Sequence, residues 1–208
     1  MLPITTVFVV YVIIRNNMRT LLSIYVAVAI FSQVQAQSFG WRLSQAAESL
    51  IQDKVVYDPS YFSIDYPNGD VPSDKGVCTD VVIRAYRKLG IDLQKLVHED
   101  MKDHFDLYPN LWGLRTTDRN IDHRRVPNLM KYFDRHGVKL SNSRDPAEYL
   151  PGDVVSWRLS GAILHIGIVS SKKLHDGTPL IVHNIGSGQV IEDLLFTYEI
   201  IGHYRYGK

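Results

Sequence analysis

The chain has 208 residues, 45% of them hydrophobic and 22% charged, which is ordinary for one globular domain without repeats or low-complexity linkers. Its formal net charge of +1 leaves no electrostatic footprint for nucleic acid, so that partner is discounted. A single cysteine, Cys78, rules out an intrachain disulfide.

Two apolar runs open the chain, over 2–14 and 21–31, separated by Arg15-Asn-Asn-Met18-Arg19. Each falls short of the ~20 apolar residues that span a bilayer. The second reads as a signal peptide, with Arg19 as its basic start and Val34-Gln35-Ala36 as the small-residue cleavage site. Residues 1–36 are therefore expected to be removed, with Met18 a possible true start. The remaining 37–208 forms one domain, exported to the periplasm or beyond and without stable membrane insertion. That remainder, 23 basic residues less Arg15 and Arg19 against 22 acidic ones, carries a net charge of −1. An uncleaved anchor is the alternative for this segment.

Apolar spacing at Leu43, Ala46, Ala47, Leu50 and Ile51 predicts a helix over 40–52. Residues 57–76 are rich in Tyr, Pro, Asp and Gly and read as a loop. An amphipathic helix is expected over 78–89, with Val81, Val82, Ala85, Tyr86 and Leu89 as its stripe, Arg84, Arg87 and Lys88 opposite, and Gly90 as its stop. Residues 93–105 have a helical pattern, and 108–122 read as a loop carrying Tyr108 and Trp112. A helix over 126–136 has Pro127 in its first turn and Gly137 at its end. After Pro151-Gly152-Asp153, strands are expected over 154–159, 164–170, 180–184, 189–191 and 198–206, with Gly186-Ser-Gly188 as a hairpin turn. Helices followed by a run of short strands argue an α+β domain with an antiparallel sheet.

Cys78 begins its helix and shares the apolar side with Val81, Val82, Ala85 and Leu89. Unpaired N–H groups at a helix start favour an anion there, and a nearby histidine lowers a thiol further. The expectation is a thiol below its free pKa of about 8.5 that iodoacetamide labels readily near neutral pH. The alternative is a small buried hydrophobe. In the strand around His165, alternation groups that residue with Ile163, Gly167 and Val169. A histidine in an apolar strand needs partners for both ring nitrogens, and Gly167 leaves room for a close neighbour. His165 is thus the candidate base, reaching across to a thiol on a packed helix. His183 is the candidate to orient it, with Asn184 the runner-up because register cannot be read from one sequence. The Cys78 backbone N–H and the Tyr57 hydroxyl are candidate oxyanion donors. Tyr57 and Trp112 are also the aromatic candidates for substrate contact.

The phrase Val77-Cys-Thr-Asp-Val-Val-Ile-Arg-Ala-Tyr-Arg-Lys-Leu-Gly90 resembles the cysteine helix of NlpC-type, papain-like peptidoglycan peptidases. Pro151-Gly-Asp-Val-Val-Ser-Trp157, His165-Ile-Gly-Ile-Val and Leu180-Ile-Val-His183 are similar to their strands. More closely, about 55–206 resembles a bacterial family described as domain of unknown function 1287. The phrases that carry this are Gly76-Val-Cys-Thr-Asp-Val-Val-Ile-Arg-Ala-Tyr-Arg, Asn120-Ile-Asp-His-Arg-Arg-Val-Pro-Asn-Leu129, Asp70-Val-Pro and His183-Asn-Ile-Gly186.

The NlpC resemblance implies helices packed on an antiparallel sheet and a Cys78–His165–His183 triad. It also implies hydrolysis of an amide bond in peptidoglycan or its peptide fragments, without cofactor. An acyltransferase using the same triad and a catalytically idle wall-binding module are the rivals.

Two departures stand out. Where the pattern has Asp-Cys-Ser-Gly, this chain has Val77-Cys78-Thr79-Asp80, and Asp80 is turned away from the thiol to serve the helix dipole. Residues 91–148 form a longer connection, expected to wall the cleft. Asp122-His123-Arg124-Arg125 reads as a solvated helix start in which an arginine could grip a substrate carboxylate. His98 and His104 lack zinc-helix spacing, and a zinc site at Cys78, His165 and His183 lacks a fourth ligand, so no metal is expected.

Overall fold

The computed structural model describes residues 39–207, so the signal-peptide reading and the start near Gln37 lie outside the described residues. Residues 39–49 form helix α1, which tightens into a 3-10 turn at Leu50–Gln52. Its expected stripe is buried at Leu43, Ala46, Ala47 and Leu50. The expected loop contains two short parallel strands, β1 (Val56–Tyr57) and β2 (Lys75–Gly76). Helix α2 (Cys78–Lys88) follows, and Gly90 leaves it at φ +78°, a conformation that favours glycine. Helix α3 (Leu93–Asp103) is capped by Asp92, whose carboxylate accepts from the Lys95 N–H at 3.2 Å. Helix α4 (Val126–His136) has Pro127 in its first turn and stops at Gly137.

The sheet comprises β3 (Val138–Lys139), β4 (Val154–Arg158), β5 (Leu164–Lys173), β6 (Pro179–His183), β7 (Val190–Glu192) and β8 (Glu199–Arg205). The spatial order is β3-β8-β4-β5-β6-β7, with every pairing antiparallel. The domain is therefore α+β, with four helices and a six-stranded antiparallel sheet. Among the described residues, no helix is long and apolar enough to cross a membrane.

Both faces of the sheet are buried. One core joins Val81, Val82, Ala85 and Tyr86 of α2 to Val154, Ile166, Ile168, Val182 and Tyr204 of the sheet. Val97 and Met101 of α3, and Leu129 and Phe133 of α4, belong to the same core, so the 91–148 connection is built into the helix layer. A second, smaller core on the opposite face holds Tyr149, Val155, Trp157, Val169, Ile181, Leu194 and Leu195.

Helix α2 is less amphipathic than its sequence suggests, because every residue from Cys78 to Tyr86 is buried. Arg84, expected on a solvated face, is 9% exposed. Its guanidinium donates to the carbonyls of Val71, Pro72 and Lys75 and to the Asp70 carboxylate, which Arg87 also reaches at 2.7 Å. These bonds satisfy loop carbonyls and hold the 70–76 segment that delivers Gly76 and Val77 to Cys78. Asp153 has a structural role as well. Its carboxylate accepts from the Leu150 N–H and the Arg205 guanidinium and meets His203 Nε2 at 2.9 Å, fastening the start of β4 to β8.

Candidate active site

The loop before α2 places Cys78 at the helix's first residue, with Val77 as N-cap. Valine has no side-chain acceptor to cap a helix, and Asp80 supplies the missing end group. Its carboxylate accepts from the Val77 N–H at 2.7 Å. The same carboxylate takes two hydrogen bonds from Arg124, at 2.9 and 3.0 Å, and both residues are buried. Thr79 Oγ1 donates to the Arg124 carbonyl at 3.0 Å, so the 122–124 turn is clamped onto the start of α2. This corrects the solvated reading of Asp122-His123-Arg124: all three are buried, and Arg124 is spent on Asp80. Asp80 does serve the helix start, but through a buried ion pair that the sequence alone did not reveal.

The Cys78 thiol is buried, within hydrogen-bonding reach of the backbone N–H of Ile166 and of the first-turn N–H groups of Cys78 and Thr79. Burial nevertheless pushes the thiol up to about 12; the neighbouring Asp80 adds to the rise, and these N–H groups only partly offset it. The expectation of a lowered thiol pKa is thereby corrected. In the resting protein, loss of hydration outweighs the helix start, and the thiol is neutral near pH 7.

On β5, His165 pairs with Trp157 of β4, their rings 5.9 Å apart. Alternation places it with Gly167 and Val169, as expected, but on the face of the second core. Helix α2 packs instead on Ile166 and Ile168. The thiol thus meets the strand at the Ile166 backbone, one residue beyond His165, and no hydrogen bond joins Cys78 to His165 among the described residues. The space over Gly167 is taken by β6: a Cβ added there would lie 2.7 Å from Ile181 Cγ2, 2.9 Å from the Val182 carbonyl oxygen and 3.1 Å from His183 Cβ. His183 thereby reaches His165, Nδ1 to Nε2 at 3.0 Å, with the rings perpendicular. Its other nitrogen, Nε2, lies 2.9 Å from Glu192 Oε1 on β7. That approach is short but oblique, and the Glu192 side chain is 50% exposed.

A carboxylate can only accept, so the approach of Glu192 favours a proton on His183 Nε2. With Glu192 ionised, His183 carries its proton on Nε2 and presents a bare Nδ1. His165 then donates from Nε2 to that atom, leaving its own Nδ1 unprotonated. Burial, then His183, pushes His165 down to about 3; burial also lowers His183 against the pull of Glu192. Both rings are neutral near pH 7.

Asn184, the runner-up for orienting the base, is committed elsewhere. Its Nδ2 donates to the Gly76 carbonyl at 3.3 Å, and its Oδ1 accepts from the Gly186 N–H. Tyr57 sits beside the site: burial raises its phenol, and Cys78 and then Asp80 raise it further against Arg124. Trp112 is not part of this group; its ring stacks under the Arg125 guanidinium at 4.0 Å, on a small cavity lined also by Phe105, Tyr108 and Asn128. Glu192 and the Asp80–Arg124 pair escaped sequence reasoning. The hairpin after Gly188, read for alternation, would have put Glu192 on the face of Ile181 and His183. No group of three or more His, Cys, Asp or Glu among the described residues is placed to hold a metal ion.

Comparison with known proteins adds kinship without chemistry. An uncharacterised protein of Escherichia coli strain K12, YijF, is 51% identical over 174 residues, which cover 84% of each chain. No solved structure matches. The family model described as "Domain of unknown function (DUF1287)" matches residues 44–206, the segment that holds Cys78, His165, His183 and Glu192, and the chain belongs to that family.

Proposed function

We propose that this chain is an exported cysteine hydrolase of the NlpC-type, papain-like superfamily that cleaves an amide bond in peptidoglycan or its peptide fragments. The observation that carries the reading is the pairing of two features on neighbouring residues of β5. The thiol at the start of α2 abuts the Ile166 amide, while the adjacent His165 is joined through Nε2 to His183 and has no hydrogen-bond partner on Nδ1 among the described residues.

The resting pair is neutral, so the thiolate is not preformed. His165 lies on the face of β5 opposite α2, so the reaction requires the first residues of β5 to turn until Nδ1 reaches the thiol; as sulfur bonds to the carbonyl carbon, the thiol proton then passes to His165. Charge on the carbonyl oxygen is met by the Cys78 N–H and the Tyr57 hydroxyl. The imidazolium, stabilised through His183 by the Glu192 carboxylate, returns its proton to the leaving amine as the C–N bond breaks. Water, deprotonated by His165, then hydrolyses the acyl-enzyme. The choice of peptidoglycan rests on the resemblance of the Cys78 helix and the His165 strand to wall peptidases.

Mass spectrometry of purified wall fragments incubated with the protein tests the reading. The expected outcome is a new amine and a new carboxylate from one bond, absent with Cys78→Ser. Transfer of the acyl group to an added amine without hydrolysis would make the protein an acyltransferase. Tight binding to the wall with no product would make it a binding module.

A further inference from the structure

Resting on that reading, we infer that Glu192 is a positioning residue for the base: it fixes the tautomers of His183 and His165 and leaves His165 Nδ1 free. The sheet register carries this. On β6 and β7, Ile181 pairs with Glu192 and His183 pairs with Val190, so Glu192 and His183 are diagonal neighbours on one face. Their side chains meet at 2.9 Å, and His183 meets His165 at 3.0 Å, giving a continuous line from carboxylate to base. His183 is fully buried, and its Nε2, which makes no aligned hydrogen bond among the described residues, lies 2.9 Å from Glu192 Oε1. An unpartnered buried ring nitrogen is costly, so the carboxylate is the group that makes a neutral His183 with an Nε2 proton the favoured form. The titratable groups on this line are Glu192, His183 and His165.

Glu192 is half exposed at the edge strand, so replacing it leaves the core intact. Imidazole nitrogen NMR of the Cys78→Ser protein reads the tautomers whether or not the protein is a hydrolase. The expected result is an Nε2 proton on both histidines with Glu192 present. Glu192→Leu should shift His183 toward the Nδ1 proton. Glu192→Gln, which can still accept from Nε2, should largely keep the tautomer while lowering the His183 pKa. In the Cys78 protein, wall-fragment kcat should fall roughly ten- to a hundredfold in Glu192→Leu with KM little changed, the scale seen when a hydrogen-bond partner behind a working histidine is lost. An Nδ1 proton on His183 in the parent, or tautomers indifferent to Glu192→Leu, would overturn the inference even if hydrolysis is confirmed. If no wall fragment is cleaved but the tautomers respond to Glu192, the hydrolase reading fails and the positioning role stands.

Discussion

The first N–H groups of α2 favour an anion on Cys78, whereas its burial favours the neutral thiol, and the second effect is the larger. The helix start was legible in the sequence because it depends on neighbours in the chain: the apolar spacing after Cys78 and the glycine stop at Gly90. The opposing effect was not legible, because the burial comes from strands far along the chain, such as those of Ile166 and Val182, which share the core with Cys78. The sequence leaves the register between His183 and Asn184 unread, and the structure brings His183 to the base while Asn184 holds the Gly76 carbonyl. His183→Ala is therefore expected to lower hydrolysis by roughly a hundredfold or more. Asn184→Ala should cost about 1–3 kcal/mol of stability, the scale of two lost hydrogen bonds, and leave kcat within several-fold of the parent. Steady-state kinetics beside urea unfolding separates the two. A crippled Asn184→Ala with a near-normal His183→Ala would contradict the assigned roles.

At the scale of elements, the long periodic segments were legible and the very short ones were not. Helix α4 runs from Val126 to His136 as its Pro127 and Gly137 punctuation predicts, and the five expected strands are found within a few residues of their predicted ends. The two-residue strands β1, β2 and β3 carry no period to detect. The face of His165 was misassigned for a related reason. Alternation tells which residues of β5 share a face, but both faces are buried, so it cannot tell which one meets α2. Gly167 illustrates the consequence, since the close neighbour it admits is β6 and not the helix. A Cβ there would lie 2.7 Å from Ile181 Cγ2 and 2.9 Å from the Val182 carbonyl oxygen. Gly167→Ala should therefore destabilise the domain by about 1–3 kcal/mol, as overpacking does, and push His183 off His165. Urea unfolding together with imidazole NMR checks both effects. An alanine accommodated at no cost, with the histidine contact intact, would mean the strands are less tightly apposed than described.

For the molecule as a whole, buried histidines set the acid response. His165 and His123 are both pushed down to about 3, chiefly by burial, against an ordinary value near 6.5. Between those pH values the unfolded chain binds more protons than the folded one, so stability rises with pH across the window. Asp122, pushed up to about 6 by burial, acts in the opposite sense between about pH 4 and 6, where the folded chain holds the extra proton. Two histidines outweigh one carboxyl, and urea midpoints are expected to rise from pH 4 to pH 7. Asp122→Asn should steepen the rise below pH 6, while a profile that falls with pH would contradict these burials. The central claim, that Cys78 is a nucleophile served by His165, is tested most directly by comparing hydrolysis of purified wall fragments by the parent, Cys78→Ser and His165→Ala proteins, with circular dichroism confirming that all three are folded. Product is expected from the parent alone. Undiminished product from folded Cys78→Ser would contradict it.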